Sequence, residues 1–153
     1  MDYVVIQSAD FDLSAEYQAL IQGATGSGAV VLFAGLVRDF NQGEQVFELE
    51  LEHYPGMAEH AIRAIIAKAR QRWMLDRVRV IHRVGKLGLS DQIVVVGVSS
   101  AHRSDAFSAN QFIMDFLKTE VPIWKKEATL HGSRWLEFNH KELDATARWQ
   151  AKE

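Results

Sequence analysis

The chain has 153 residues, 48% hydrophobic and 24% charged, which fits one compact domain over residues 1–153 and is far from the composition of a disordered chain. Seventeen Lys and Arg against 20 Asp and Glu give a net charge of −3, which argues against a general nucleic-acid binder but leaves room for a local basic pocket. There is no cysteine, so disulfides, thiolate metal sites and cysteine nucleophiles are excluded.

In chain order, the β-branched run Tyr3 to Gln7 predicts a short strand. Asp10-Phe11-Asp12 then offers capping side chains to a helix carrying Leu13, Tyr17, Leu20 and Ile21, which Gly23 ends. Ala29 to Val37 is nearly continuous apolar sequence and reads as a buried strand; Arg38 to Glu44 reads as a polar loop. Val46 to His53 alternates, with Phe47, Leu49 and Leu51 expected on one face and Glu48, Glu50 and Glu52 on the other. After Tyr54-Pro55-Gly56, an apolar stripe from Ala58 to Trp73 predicts a helix over Met57 to Trp73. Arg77 to Val84 alternates again, with Val78, Val80, His82 and Val84 on one side, and Gly85 to Asp91 is expected to turn. Gln92 to Ser100 is a central strand, and Ser104 or Asp105 can cap the helix that follows. Pro122 ends that helix near Thr119. Pro122 to Leu130 and Ser133 to Phe138 read as strands or extended loops, and Lys141 to Trp149 as a terminal helix. The mixture is α+β. No apolar run reaches the roughly 18 residues that cross a bilayer. Met1 to Ile6 lacks a basic leader and cleavage site. The expectation is therefore a soluble cytoplasmic protein with no membrane partner.

Three stretches carry charge where chemistry can use it. Ser99-Ser100-Ala101-His102-Arg103-Ser104 joins a buried strand to a helix start, where free amides favour an anion; a capping loop with two solvated side chains explains the same residues. Lys118 ends an apolar helix and Lys125 follows Pro122-Ile123-Trp124; a lysine among aromatics can serve as base or nucleophile, though lysines also sit at helix C-termini for the dipole alone. Arg38 leaves a core strand and can clamp a phosphate, or simply open a surface loop. His53 has no metal-ligand spacing around it and reads as a packed or hydrogen-bonded histidine. The acidic row Glu48, Glu50, Glu52 and the basic row Arg77, Arg79, Arg83 suggest pairing across neighbouring strands. Together these residues suggest a cationic pocket for a phosphorylated small molecule, without fixing a reaction.

Several strings resemble one family. Leu51-Glu52-His53-Tyr54-Pro55-Gly56-Met57, Val80-Ile81-His82-Arg83-Val84-Gly85, Ser99-Ser100-Ala101-His102-Arg103-Ser104, Gln111 to Thr119 and Pro122-Ile123-Trp124-Lys125-Lys126-Glu127 are similar, in order and spacing, to the large catalytic subunit of molybdopterin synthase. Trp135 matches as well, so the resemblance runs from about Gly28 to Trp135. It implies a two-layer α+β fold of the hammerhead type with an added small antiparallel β subdomain. It implies that Lys118 and Lys125 are catalytic, that Arg38, His102 and Arg103 bind substrate, and that Phe33 and Met114 line the pocket. The implied activity is sulfur transfer from a small ubiquitin-like subunit, ending in a Gly-Gly thiocarboxylate, to cyclic pyranopterin monophosphate. The implied assembly is a homodimer of this subunit within a heterotetramer. No resident cofactor or metal is expected. The alternative on the same scaffold is a noncatalytic module that binds a phosphopterin or a protein tail. Phe138-Asn139-His140 departs from relatives that carry a basic residue there, and no site is assigned to it.

Overall fold

The computed structural model describes residues 2–41, 44–136 and 140–150. Its elements in order are β1 (Asp2–Gln7), α1 (Leu13–Ile21), β2 (Ala29–Leu36), β3 (Phe40–Asn41), β4 (Glu44–His53), α2 (Met57–Arg72), β5 (Val78–Arg83), β6 (Gly85–Gly88), β7 (Gln92–Ser100), α3 (Arg103–Glu120), β8 (Ile123–Thr129), β9 (Gly132–Trp135) and α4 (His140–Ala147). Four strands form a main sheet in the order β1-β5-β7-β2, parallel between β1 and β5 and antiparallel elsewhere. A second, antiparallel sheet follows the order β3-β4-β8-β9, with β6 also paired to β4. The fold is α+β, a helix-covered main sheet of the hammerhead type with an added small antiparallel sheet.

The apolar run of β7 is explained by its position: it pairs on both edges and is covered on both faces. Val94, Val96 and Val98 face α2 and α3, where they join Ile62, Ile65, Ile66, Phe112 and Ile113 in the main core. Gly97 faces the other way, toward α1. A Cβ there would lie 2.6 Å from Leu20 Cδ1 and 2.9 Å from Leu32 Cδ2, so the missing side chain lets α1 sit close. Asn110, buried in α3, donates to the Val31 and Val96 carbonyl oxygens and pins the helix over the β2–β7 seam. Beyond α4, Trp149 closes an aromatic cluster with Trp73 and Phe112, and its indole N–H donates to the buried Asp115 carboxylate at 2.7 Å.

Several expectations need correction. Phe47 is exposed while Val46, Leu49 and Leu51 are buried, because an irregularity between Val46 and Glu48 shifts the phase of β4. Gly85–Gly88 is a strand, β6, rather than only a turn, and Phe40–Asn41 pairs back on β4. The acidic and basic rows do not meet, since β4 and β5 belong to different sheets. Arg79 pairs instead with Glu16 of α1, Arg77 donates to the Ala19 and Gln22 carbonyls, and Arg83 donates to those of Ser8 and Gln92. His102, not Ser104 or Asp105, occupies the N-cap of α3, and its side chain makes no capping bond.

Candidate active site

The site residues divide between the two ends of α3. This helix leaves β7 at Ser100 and runs back over the sheet, so its last turn lies at the end where β7 begins and β2 finishes. At about 1.5 Å per residue, His102 and Lys118 are separated by about 24 Å. The structure therefore does not bring His102 and Arg103 together with Lys118 within one copy of the chain.

The Lys118 end is built from three elements. On α3, Asn110, Met114 and Lys118 recur every four residues and form one stripe, which Asn110 fixes on the β2 side. Phe33 of β2 pairs with Val96 and shares the helix-covered face with it, so Phe33 and Met114 are placed to line the same side of the cluster. From the small sheet comes β8, whose alternation decides between two adjacent lysines. Lys125 is registered opposite Leu51, and its phase is that of Ile123 and the buried Glu127, the inner face. Lys126 points the other way and lies over the Trp135 ring, 5.6 Å from its centroid. Trp124, also outward, meets Tyr54 edge-on.

His82 lies at the same end of the main sheet, paired with Val94 near the start of β7. It is 3% exposed, at the end of β5, on the face of Val78 and Val80. Its Nδ1 lies 2.8 Å from the Arg83 carbonyl oxygen; a carbonyl can only accept, so Nδ1 carries the proton and donates. Burial lowers the His82 pKa to about 4; the bond to Arg83 opposes this, and the charges of Lys125, Lys118 and His53 lower it further. The imidazole is therefore neutral near pH 7, with the charges of Lys118 and Lys125 acting on it. His53 approaches Glu59 at 4.0 Å, beyond hydrogen-bond reach, and Glu59 accepts from the Gly56 backbone N–H.

Arg38 is at the same end of the sheet. Its side chain is exposed, but the backbone beside it is fixed: Val37 exchanges hydrogen bonds with Asp91 and Ser90, and Asp39 accepts from Val46. Val37, Arg38, Asp39, Leu89 and Ser90 line an open cleft of about 520 Å³. At the other end of α3, Ser99 and Ser100 are used structurally. The Ser99 hydroxyl accepts from Arg77 N–H and that of Ser100 donates to the Met74 carbonyl, which leaves His102 and Arg103 exposed at the helix start. Gly28 packs against this junction; a Cβ there would lie 2.4 Å from the Ala101 carbonyl oxygen. Among the described residues, no group of His, Asp and Glu is arranged to hold a metal ion.

Two residues were missed as site members from sequence. His82 looked like any inward position of an alternating strand. Glu127, 4% exposed and paired with Arg134 at 3.2 Å, shares the inner face with Lys125. Phe138 and Asn139 lie outside the described residues.

The scaffold and its cluster define a class: an α+β protein with cationic groups gathered where a main sheet meets a small one. A family model described as MoaE protein matches residues 6–120. The chain is 53% identical to the molybdopterin synthase catalytic subunit of Vibrio cholerae, covering 98% of this chain and 100% of that one. The molybdopterin cofactor biosynthesis protein E from Burkholderia multivorans has a TM-score of 0.83 at 48% identity, covering 98% of this chain and 97% of that chain. For the molybdopterin synthase from Staphylococcus aureus the TM-score is 0.80 at 35% identity, with 87% and 96% covered. The chain belongs to the MoaE protein family, the catalytic subunits of molybdopterin synthase, which are sulfurtransferases of molybdenum cofactor biosynthesis.

Proposed function

We propose that this chain transfers sulfur from the C-terminal thiocarboxylate of a small ubiquitin-like subunit to cyclic pyranopterin monophosphate, forming the dithiolene in two deliveries. The observation that supports this reading is the placement of Lys118 in the last turn of α3 and of Lys125 on the inward phase of β8, with the charge of both acting on the buried His82. Both donors and acceptors in the reaction are anions, and a preorganised cationic pocket offsets their repulsion. Lys118 and Lys125 are the catalytic groups, assisting proton transfer or attacking the acyl carbon after its sulfur has bonded to the pterin, so that the C–N bond forms as the C–S bond breaks and the sulfur leaves on the pterin. Phe33 and Met114 line the pocket, and Arg38, His102 and Arg103 hold the substrate's phosphate. The absence of cysteine supports an external sulfur source, because no thiolate in the chain can carry a persulfide.

The distance along α3 supports the homodimer. His102 and Arg103 reach a lysine pair only if a second copy supplies them, so each pocket is shared between copies. Mixing Lys118→Ala with Arg103→Ala chains tests this. Mixed dimers regain one intact pocket if the site is shared, and none if each chain builds its own.

The function itself is tested by combining the chain with a thiocarboxylated partner, isotopically labelled at sulfur, and the pterin. Label in the dithiolene is expected, and none with the plain carboxylate partner. Binding of both ligands without product would leave a noncatalytic module.

A further inference from the structure

The stretch that follows α4 is docked rather than frayed. Residues near a chain end are poorly ordered unless something ties them down, yet Trp149 is only 6% exposed. Its ring meets those of Trp73 and Phe112 edge-on, with centroids 5.4 Å away, and its carbonyl accepts from Arg72 at 2.8 Å. The indole N–H donates to Asp115, a buried carboxylate of α3, at 2.7 Å, and Arg148 approaches the same oxygen at 3.6 Å. Among the described residues the Asp115 carboxylate has no other partner. Burying a carboxylate is costly unless it is paired, so Asp115 is matched to the segment after α4.

That segment bridges the two elements that carry Lys118 and Lys125. Asp115 lies about one turn before Lys118 on α3. Lys125 belongs to β8, which stands one strand away from the main sheet. β6, the strand that runs between β5 and β7, pairs with one edge of β4, and β8 pairs with the other. The direct covalent link from α3 to β8 is Val121-Pro122. On the far side, Leu136 donates its N–H to the Lys125 carbonyl at 2.8 Å, and the chain then runs through α4 to Trp149. A single connection leaves two bodies free to turn about it, and a second attachment removes that freedom.

We infer that Trp149 is a positioning residue for the lysine pair: seated on Asp115, it clasps the segment after β9 to α3 and so holds the strand of Lys125 against the helix of Lys118. The inference rests on the proposed sulfur transfer for its catalytic consequence, but not for the clasp itself. Rates depend steeply on where reacting groups stand, so loosening the clasp should cost rate.

Two measurements decide it. The first uses the chain alone and exploits its lack of cysteine. Thiols introduced as Ala67→Cys, on the exposed side of α2, and Ser133→Cys, on β9, take spin labels at those two positions only. Diluted into unlabelled chain, so that distances within one copy are read, they should give a narrow distribution. It should broaden in Trp149→Ala and, less, in Trp149→Phe, which keeps a ring but loses the donor. An unchanged distribution in both variants overturns the inference; if Trp149→Ala does not fold, Trp149→Phe decides alone. The second uses the full complex under single-turnover conditions with saturating pterin. Trp149→Ala should slow sulfur transfer about ten- to a hundredfold, with pterin affinity near that of the unsubstituted chain. Trp149→Phe should recover part of the loss. A lower melting temperature with an unchanged rate would reduce Trp149 to a packing residue. If the unsubstituted complex transfers no sulfur, the proposed function fails while the label distances still decide whether the clasp holds.

Discussion

The two ends of α3 both carry cations, and they differ in what the helix does to them. Lys118 stands in the last turn, where the carbonyl end of the helix attracts positive charge. Arg103 stands at the start, where the unpaired amides repel positive charge, and Asp105 is the only acidic residue of that first turn. A lysine at a C-terminus needs no functional explanation by itself; the functional reading of Lys118 belongs to the proposed sulfur transfer, in which it would act with Lys125. Cations at an N-terminus work against the dipole, and the arrangement becomes favourable once an anion sits between them. Under the proposed function, the lysine end would carry the chemistry, and the helix start would add anion contacts to those of Arg38.

The largest expected effect breaks the catalytic end. Lys118→Ala should abolish measurable sulfur transfer, a loss of about 10²–10⁴ if the lysine handles a proton in the transition state, while the small partner still binds. Lys118 is exposed, so the fold should survive. Single-turnover kinetics with a melting curve check both halves, and near-normal rates would remove the assignment. Lys125→Ala should also cost heavily.

Next in size is the pH response of the buried imidazole. His82 has a folded pKa of about 4 against an ordinary 6.5, so the unfolded chain binds the extra proton between those values. Stability from this group is fully present above about pH 6.5 and is lost as pH falls toward 4, amounting to roughly 3 kcal/mol. His82→Gln should flatten the urea-unfolding free energy across that window. An unchanged acid slope would show that the ring is not buried neutral.

At the anion end, Arg103→Ala should weaken pterin binding about ten- to a hundredfold, the value of one charge-assisted hydrogen bond. Arg38→Ala should do the same at its own position. Both losses should shrink as salt rises, because screening weakens the same contacts. Calorimetric titrations at two salt concentrations are sufficient, and unchanged affinities in both variants would exclude a phosphate role.

The smallest effect sharpens the comparison directly. Without ligand, Arg103→Ala should raise stability slightly and Lys118→Ala should lower it slightly, each by about 0.3–1 kcal/mol at low salt. Shifts of the same sign at both ends would mean that the dipole does not distinguish them.

Most regular elements were legible because their burial follows local pattern: the continuous apolar run of β7, the stripe of α2 and the Asp12 cap of α1 all appear where sequence places them. What escaped depends on partners distant in sequence. The four residues of β6 are a strand only because β4 lies beside them, and glycines at 85 and 88 conceal that. Phe47 lost its face to an irregularity that no alternation rule contains. The acidic and basic rows were placed side by side by charge, whereas topology put them in different sheets. Resemblance supplied Lys118 and Lys125; the buried His82, on which both charges act, has no spacing signature, because three separate elements must close before its surroundings exist.

The position of β7 has a consequence for how the molecule opens. Its amides are bonded on both edges and shielded on both faces, so those from Val94 to Val98 should be among the slowest in the molecule to exchange with deuterium, requiring near-global unfolding. The small sheet that carries Lys125 has less covering it and can open in a smaller, cheaper event. His102 and Arg103 follow β7 after a single intervening residue, so these two side chains should be attached to the slowest-exchanging part of the chain and Lys125 to a faster one. Exchange measured with and without bound pterin should slow the small sheet and leave β7 where it was.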